Sequence, residues 1–194
     1  MNPTFRIGSK LDGHLPAMAS VFRRLLQRSA HSGPRSCEEA LRKSIPTLLS
    51  EKDILLELAV EDKHALLEVV GEHMEAAHGL SRELVRRGLE QRERVGSTAI
   101  GQGVAIPHAR VHGLDKIQVA YLRLAQPIDA DAVDGKPVTD VFVLLVPKQA
   151  AQEHLVVLAE VSQLFADPHF RKQLQSCASA PEVLQSFAGA LQGR

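Results

Sequence analysis

The chain has 194 residues, in which 23 Lys and Arg balance 23 Asp and Glu, with 44% hydrophobic and 24% charged residues. This is the composition of a globular protein that buries a core, with room for one domain of about 150 residues and an appendage. The charge balance removes the positive field that draws proteins to phosphate backbones and anionic membranes, so neither nucleic acid nor membrane insertion is expected.

Residues 1–44 differ in texture from the rest. Arg6, Lys10, Arg23, Arg24, Arg28 and Arg35 are opposed only by Asp12 until Glu38, and Gly8, Gly13, Pro16, Gly33 and Pro34 interrupt any helical pattern. The segment reads as a basic extension: a mobile tail, a stretch ahead of a true start at Met18, or a docking arm. From residue 45 to 194 the pattern is that of one α/β domain. Ile54 to Leu58 reads as a short strand, and Ala65, Leu66, Val69, Val70 and Met74 recur at helical spacing within Glu61 to Ala77. A second helix is expected from an N-cap at Ser81 through Leu84, Val85 and Leu89 to the charged cluster Glu90 to Arg94.

A Gly-rich passage from Gly96 to His108 leads to two core strands, Ile117 to Leu124 and Val141 to Val146. The second, closed by Pro147, is far short of the roughly 20 residues of a membrane span. Asp129 to Pro137 reads as a turn-rich connection. A helix starting near Glu153 places Leu155, Leu158, Val161 and Phe165 on one face and stops at Asp167-Pro168. Ser179 and Glu182 have the spacing of a capping box for a last helix. Cys37 and Cys177 form no disulfide framework and the N-terminus has no secretory signal, so a reducing cytoplasm is the expected location.

The chemistry concentrates in Ser97-Thr98-Ala99-Ile100-Gly101-Gln102-Gly103-Val104-Ala105-Ile106-Pro107-His108-Ala109-Arg110. It is neither a P-loop nor a dinucleotide fingerprint. Pro107 fixes its own φ and pushes Ile106 toward an extended conformation, so His108 has a stiff lead-in, and the upstream glycines permit close approach by an anion or a partner protein. On residues alone, His108 reads more readily as a surface histidine than as a catalyst.

The run Arg92-Glu93-Arg94-Val95-Gly96-Ser97-Thr98 followed by Ile100 to Arg110 resembles the active-site signature of the fructose/mannitol/nitrogen-regulatory type of enzyme IIA (EIIA type 2) of the bacterial phosphotransferase system. Pro127-Ile128, Asp134-Gly135-Lys136-Pro137-Val138, Leu144-Leu145-Val146-Pro147 and His154-Leu155 extend the resemblance in order from about Ile45 to the C-terminus. It implies a single domain with a mixed sheet flanked by helices on both faces, and a phosphocarrier rather than a multiple-turnover enzyme. It also implies roles: His108 the phosphoryl acceptor, His154 a second active-site histidine that stabilises the phosphoryl group, and Arg92 a phosphate-binding cation. No metal and no cofactor is implied, because the donor is itself a phosphohistidine.

The expected donor is the phosphocarrier HPr or its nitrogen-branch paralogue. The expected recipient is a IIB subunit or, in a regulatory role, a kinase or transporter controlled by contact. With no fused permease or IIB-like segment, the chain most resembles the stand-alone nitrogen-regulatory type. A sugar-specific IIA subunit and a binding module switched by phosphorylation are the alternatives, and the presence of His108, His154 and Arg92 argues against a degenerate domain. Arg110 and Lys136 are weaker candidate anion contacts, and Ser97 and Thr98 read as turn-shaping. His64, His73 and His78 share one predicted helix without an i,i+4 pair and read as solvated. His14, His31, His112 and His169 have no recognisable partner cluster.

Overall fold

The computed structural model describes residues 44–148 and 153–192, so the expectation for the basic segment falls outside them except at its last position. The elements are α1 (Ser44–Leu48), a 3-10 turn (Glu51–Asp53), β1 (Ile54–Leu58), α2 (Lys63–His78), α3 (Arg82–Glu93), β2 (Ala99–Gly101), β3 (Val104–Ala105), β4 (His108–Val111), β5 (Gln118–Ile128), β6 (Val138–Pro147), α4 (Glu153–Ala166), α5 (Pro168–Ser176) and α6 (Ala180–Gln192). Asp62 starts α2 by accepting from the amide of Ala65 at 2.8 Å, and Ser81 starts α3 as expected, accepting from the amide of Leu84.

The sheet runs β1-β5-β6-β3-β2, with β4 also paired to β6. β5 and β6 are antiparallel, whereas β1 pairs parallel with β5, and β3 and β4 pair parallel with successive parts of β6. β6 is therefore covered on both edges and both faces, as its continuous apolar run requires. Val138, Val141, Val143 and Leu145 join a core beneath α2 and α3, together with Ala120, Leu122 and Leu124 of β5. Phe142, Leu144 and Val146 point the other way, into a core closed by α1, α4, α5 and α6. The strand period of two thus divides one sequence run between two hydrophobic layers.

Several expectations change in detail. The Gly-rich passage contains three short strands or parts of them: β2, β3 and the start of β4. Gly101 faces Val104 across a two-residue hairpin in which Gln102 (φ 58°) and Gly103 (φ 79°) both adopt the left-handed region. That geometry matches the strand twist, and it, rather than approach by an anion, accounts for Gly103. Asp167-Pro168 does end α4, but Asp167 then caps a further helix, α5, accepting from the amide of His169, with Pro168 at its first position. On α4 the buried face is Val157, Val161, Leu164 and Phe165, while Leu155 is 44% exposed. Glu182 reaches back to the amide of Ala178 at 2.7 Å rather than closing a box with Ser179.

Tyr121, the only tyrosine in the chain, is fully buried and donates its hydroxyl to Asp140 Oδ1 at 2.6 Å. Burial first, then the adjacent carboxylate, pushes the phenol far above its ordinary value of 10.0. Because the folded value is the raised one, Tyr121 contributes stability that is complete below pH ~10 and declines as pH rises above the unfolded value. Alkaline titration followed by phenolate absorbance and circular dichroism will therefore show the phenolate signal rising with unfolding and not before it.

Candidate functional site

His108 opens β4 directly after a break in the sheet. β3 and β4 form one interrupted strand beside β6, with Ile106 and Pro107 between them. Pro107 has no N–H for a ladder bond, but its carbonyl accepts from the amide of Leu144 at 3.0 Å, so the interruption stays anchored to β6. His108 pairs in register with Leu144 and remains half-buried.

Two hydrogen bonds fix the imidazole. Nδ1 lies 2.8 Å from the carbonyl oxygen of Ile106. A carbonyl only accepts, so the proton is on Nδ1 and Nε2 carries the lone pair. Arg92 Nε donates to that lone pair at 2.9 Å.

Arg92 occupies the last turn of α3, and its Nη1 donates to the carbonyl of Gly96 at 2.8 Å, which fixes the guanidinium plane. The arginine reaches β4 because α3 runs very close to it. A Cβ built on Gly88, one turn earlier, would lie 3.3 Å from Cβ of Ala109, so a larger residue there would push the helix off the strand. Arg92 is thus no solvated helix end: it is paired with His108, sixteen positions away in sequence.

His154 is the second residue of α4, and its side chain lies outside the described residues. Arg110 is exposed. Lys136 Nζ donates to Gln102 Oε1 at 3.4 Å. Thr98 and Ser97 do shape the turn. Glu93 accepts from the amide and hydroxyl of Thr98, the latter at 2.7 Å, and Ser97 Oγ donates to the carbonyl of Ala130 at 2.7 Å.

Glu93 and Lys63 are contributors that the sequence reading did not single out. Lys63 Nζ bridges Glu93 at 3.3 Å and Asp131 at 2.6 Å. Burial alone would lower the Lys63 ammonium, but these two carboxylates outweigh it and hold it above its ordinary value. Together, the Ser97 and Lys63 bonds tie the 96–103 passage to the 129–137 connection. Asp134 adds a bond from the amide of Gln102 at 2.8 Å. Exposed apolar side chains decorate these tied loops: Val95 at 85%, Val133 at 88% and Ile100 at 37%. The available signal for Glu93 was its place beside Arg92, masked by the surrounding run of charges.

His73 and His78 are not solvated, contrary to the sequence expectation. Their side chains are 14% and 9% exposed, and both face Asp53. His64 fits the expectation, at 67% exposure beside Glu90. His112 accepts a contact from Lys148 at 2.8 Å.

The family described as phosphoenolpyruvate-dependent sugar phosphotransferase system, EIIA 2, matches residues 47–189. A nitrogen regulatory protein of Bradyrhizobium diazoefficiens is 36% identical over 144 residues, covering 74% of this chain and 94% of the relative. The crystal structure of nitrogen regulatory protein IIA-Ntr from Neisseria meningitidis superposes with a TM-score of 0.71 at 40% identity, over 74% of this chain and 98% of that one. Enzyme IIAMTL in the Escherichia coli complex with phosphorylated enzyme IIBMTL shares the fold at a TM-score of 0.62 and 20% identity, over 73% and 97% of the respective chains.

Proposed function

The chain belongs to the EIIA 2 family of the phosphoenolpyruvate-dependent sugar phosphotransferase system, and on that premise we propose that it is a phosphocarrier of the nitrogen-regulatory type that takes a phosphoryl group on Nε2 of His108. The observation that carries the reading is the tautomer: the Nδ1 proton is held by Ile106, and the lone pair on Nε2 points at the guanidinium of Arg92.

In the forward step the Nε2 lone pair attacks phosphorus as the P–N bond of the donor phosphohistidine breaks, and the bonding pair returns to the donor nitrogen. The Nδ1 proton stays in place, so the ring gains positive character that the Ile106 carbonyl stabilises. The same protonated ring is the better leaving group in the onward step. Arg92 changes partner during transfer: its N–H leaves Nε2 as the N–P bond forms and turns to the equatorial oxygens, where a planar fork suits a phosphoryl group. In this reading His154, in the first turn of α4, serves as the second active-site histidine, with support from a helix end whose dipole favours an anion. No step requires a metal.

The donor in this reading is phospho-HPr or its nitrogen-branch paralogue in the cytoplasm. The tied loops that follow Arg92 and carry the exposed Val95, Ile100 and Val133 suit a protein donor, which needs an exposed apolar docking patch rather than a deep pocket. Identity of 36–40% to nitrogen regulatory proteins supports a regulatory output. Onward transfer to a IIB subunit is the competing output.

The test is transfer of labelled phosphate from phosphoenolpyruvate through enzyme I with HPr of either branch. Acid-labile, base-stable label at His108 is expected, faster from the nitrogen-branch donor. Absence of label from both donors defeats the proposal, and rapid passage onward to a IIB protein selects the transport reading. Arg92→Ala is expected to slow acceptance by roughly 100- to 1,000-fold, the usual cost of removing one preorganised donor at developing charge. Arg92→Lys should recover only part of that rate. Quenched-flow measurement of the first phosphorylation reads both.

A further inference from the structure

Outside the phosphoryl site, the described residues contain one convergence of metal-ligating side chains. Asp53 ends the 3-10 turn ahead of β1, while His73 and His78 lie on the last two turns of α2. Asp53 is 2% exposed and its Oδ1 faces Nε2 of both histidines, at 3.2 Å from His73 and 2.6 Å from His78. The two rings stand nearly perpendicular, at 78°, with centroids 6.3 Å apart. One potential ligand atom from each residue falls within 4.8 Å of the others. The second carboxylate oxygen, Oδ2, accepts from Ser50 Oγ at 2.5 Å, which fixes the plane of the carboxylate and leaves Oδ1 aimed at the imidazoles.

We propose that Asp53, His73 and His78 bind a divalent transition-metal cation of the zinc type, through Asp53 Oδ1 and Nε2 of each imidazole, with solvent as the fourth ligand. Two imidazoles and a carboxylate are a donor set that zinc takes when a coordination position stays open. Bond lengths of about 2.0–2.1 Å place tetrahedral ligands roughly 3.3 Å apart. The His73 edge already has that length and the His78 edge must open by roughly 0.7 Å, within reach of side-chain rotation.

Serine bound to the outer oxygen supplies the outer-shell orientation that such ligands need. The C-terminal end of α2 adds partial negative charge, part of which Lys52 Nζ already meets at the Ala77 carbonyl, 3.0 Å away. Each Nε2–H must leave for metal to enter. A neutral imidazole does so by passing the proton through solvent to Nδ1, and a charged one by releasing it.

The site is separate from the phosphoryl site. Lys63, which contacts Glu93 beside Arg92, is ten residues before His73 on α2, roughly 15 Å at the helical rise. A cation here would pin the 3-10 turn, and with it the start of β1, to α2.

Chelator-treated full chain titrated with Co²⁺ is expected to develop the visible bands of tetrahedral nitrogen and oxygen ligation, with competition by Zn²⁺. His73→Gln and His78→Gln should each weaken that binding by at least the roughly 10- to 100-fold that loss of an outer partner alone costs. His64→Gln, on the exposed face of the same helix, should leave it unchanged. Metal should raise the melting temperature of the wild type and not that of the two variants. In the wild type itself, one equivalent of Zn²⁺ should shift the Nε2 resonances of His73 and His78, a readout that does not depend on the variants folding. Equal Co²⁺ binding by His73→Gln and His78→Gln, octahedral spectra only, or unshifted His73 and His78 resonances would overturn the proposal.

Discussion

His108→Ala will accept no acid-labile phosphate from either HPr branch while keeping a cooperative melting transition. The loss is expected to be complete, because the substitution removes the atom to which the proposed function assigns the N–P bond. His112 and Lys148 pair with each other at the far end of β4 and β6, and the exposed His64 is engaged with Glu90, so neither offers a substitute beside Arg92. The structural penalty is modest, since the hydrogen bonds from Nδ1–H to Ile106 and from Arg92 to Nε2 contribute about 1 kcal/mol each. Against a typical stability of about 5–15 kcal/mol the variant stays folded. Parallel measurement of label and melting temperature checks both halves, and label retained at full level would move the acceptor elsewhere.

The second large effect lies in the core. Phe187→Ala should cost about 3–5 kcal/mol, the usual range for deleting a fully buried phenyl ring. Phe187 is at the centre of the layer beneath α6, with ring centroids 5.1 Å from Phe170, 5.8 Å from Tyr121 and Phe142, and 6.2 Å from Phe165. Every one of these contacts is tilted or edge to face, the geometry that adds to simple burial. Four neighbours already packed against each other cannot all collapse into the void, so the upper half of the range is expected. Urea denaturation should show the midpoint falling with an unchanged slope, and a changed slope would point to a loosened native state instead.

What the sequence made legible follows from how local the signals are. Ser81 at the start of α3 and the apolar runs of β5 and β6 depend on neighbours within a few residues, and all were readable. The pairing of His108 with Arg92 was expected only through resemblance, since the fifteen residues between them fold as a helix end and a hairpin before returning. α5 was hidden because Pro168 halts one helix and begins the next, and a proline signal alone does not distinguish the two. β2, β3 and β4 were hidden because strands of two to four residues have too little pattern to read. The burial of His73 and His78 was unreadable for a different reason. Their partner, Asp53, belongs to another element, so no spacing rule applied to their own helix could reveal it.

The strand pairings also set an order of assembly. Among the described strands β1 to β4, the β2–β3 hairpin is the one pairing available before β5 exists; β1 waits for β5, and β3 and β4 wait for β6. During synthesis from the N-terminus, the histidine-bearing strand therefore has no sheet to join until residues 138–147 have left the ribosome. A nascent chain that ends before β6 carries every atom of His108 and Arg92 without the frame that orients them. The proposed phosphoryl site therefore waits for closure of the sheet to orient His108 and Arg92, and for α4 to bring His154, so a product truncated before β6 is expected to be inert rather than half-active.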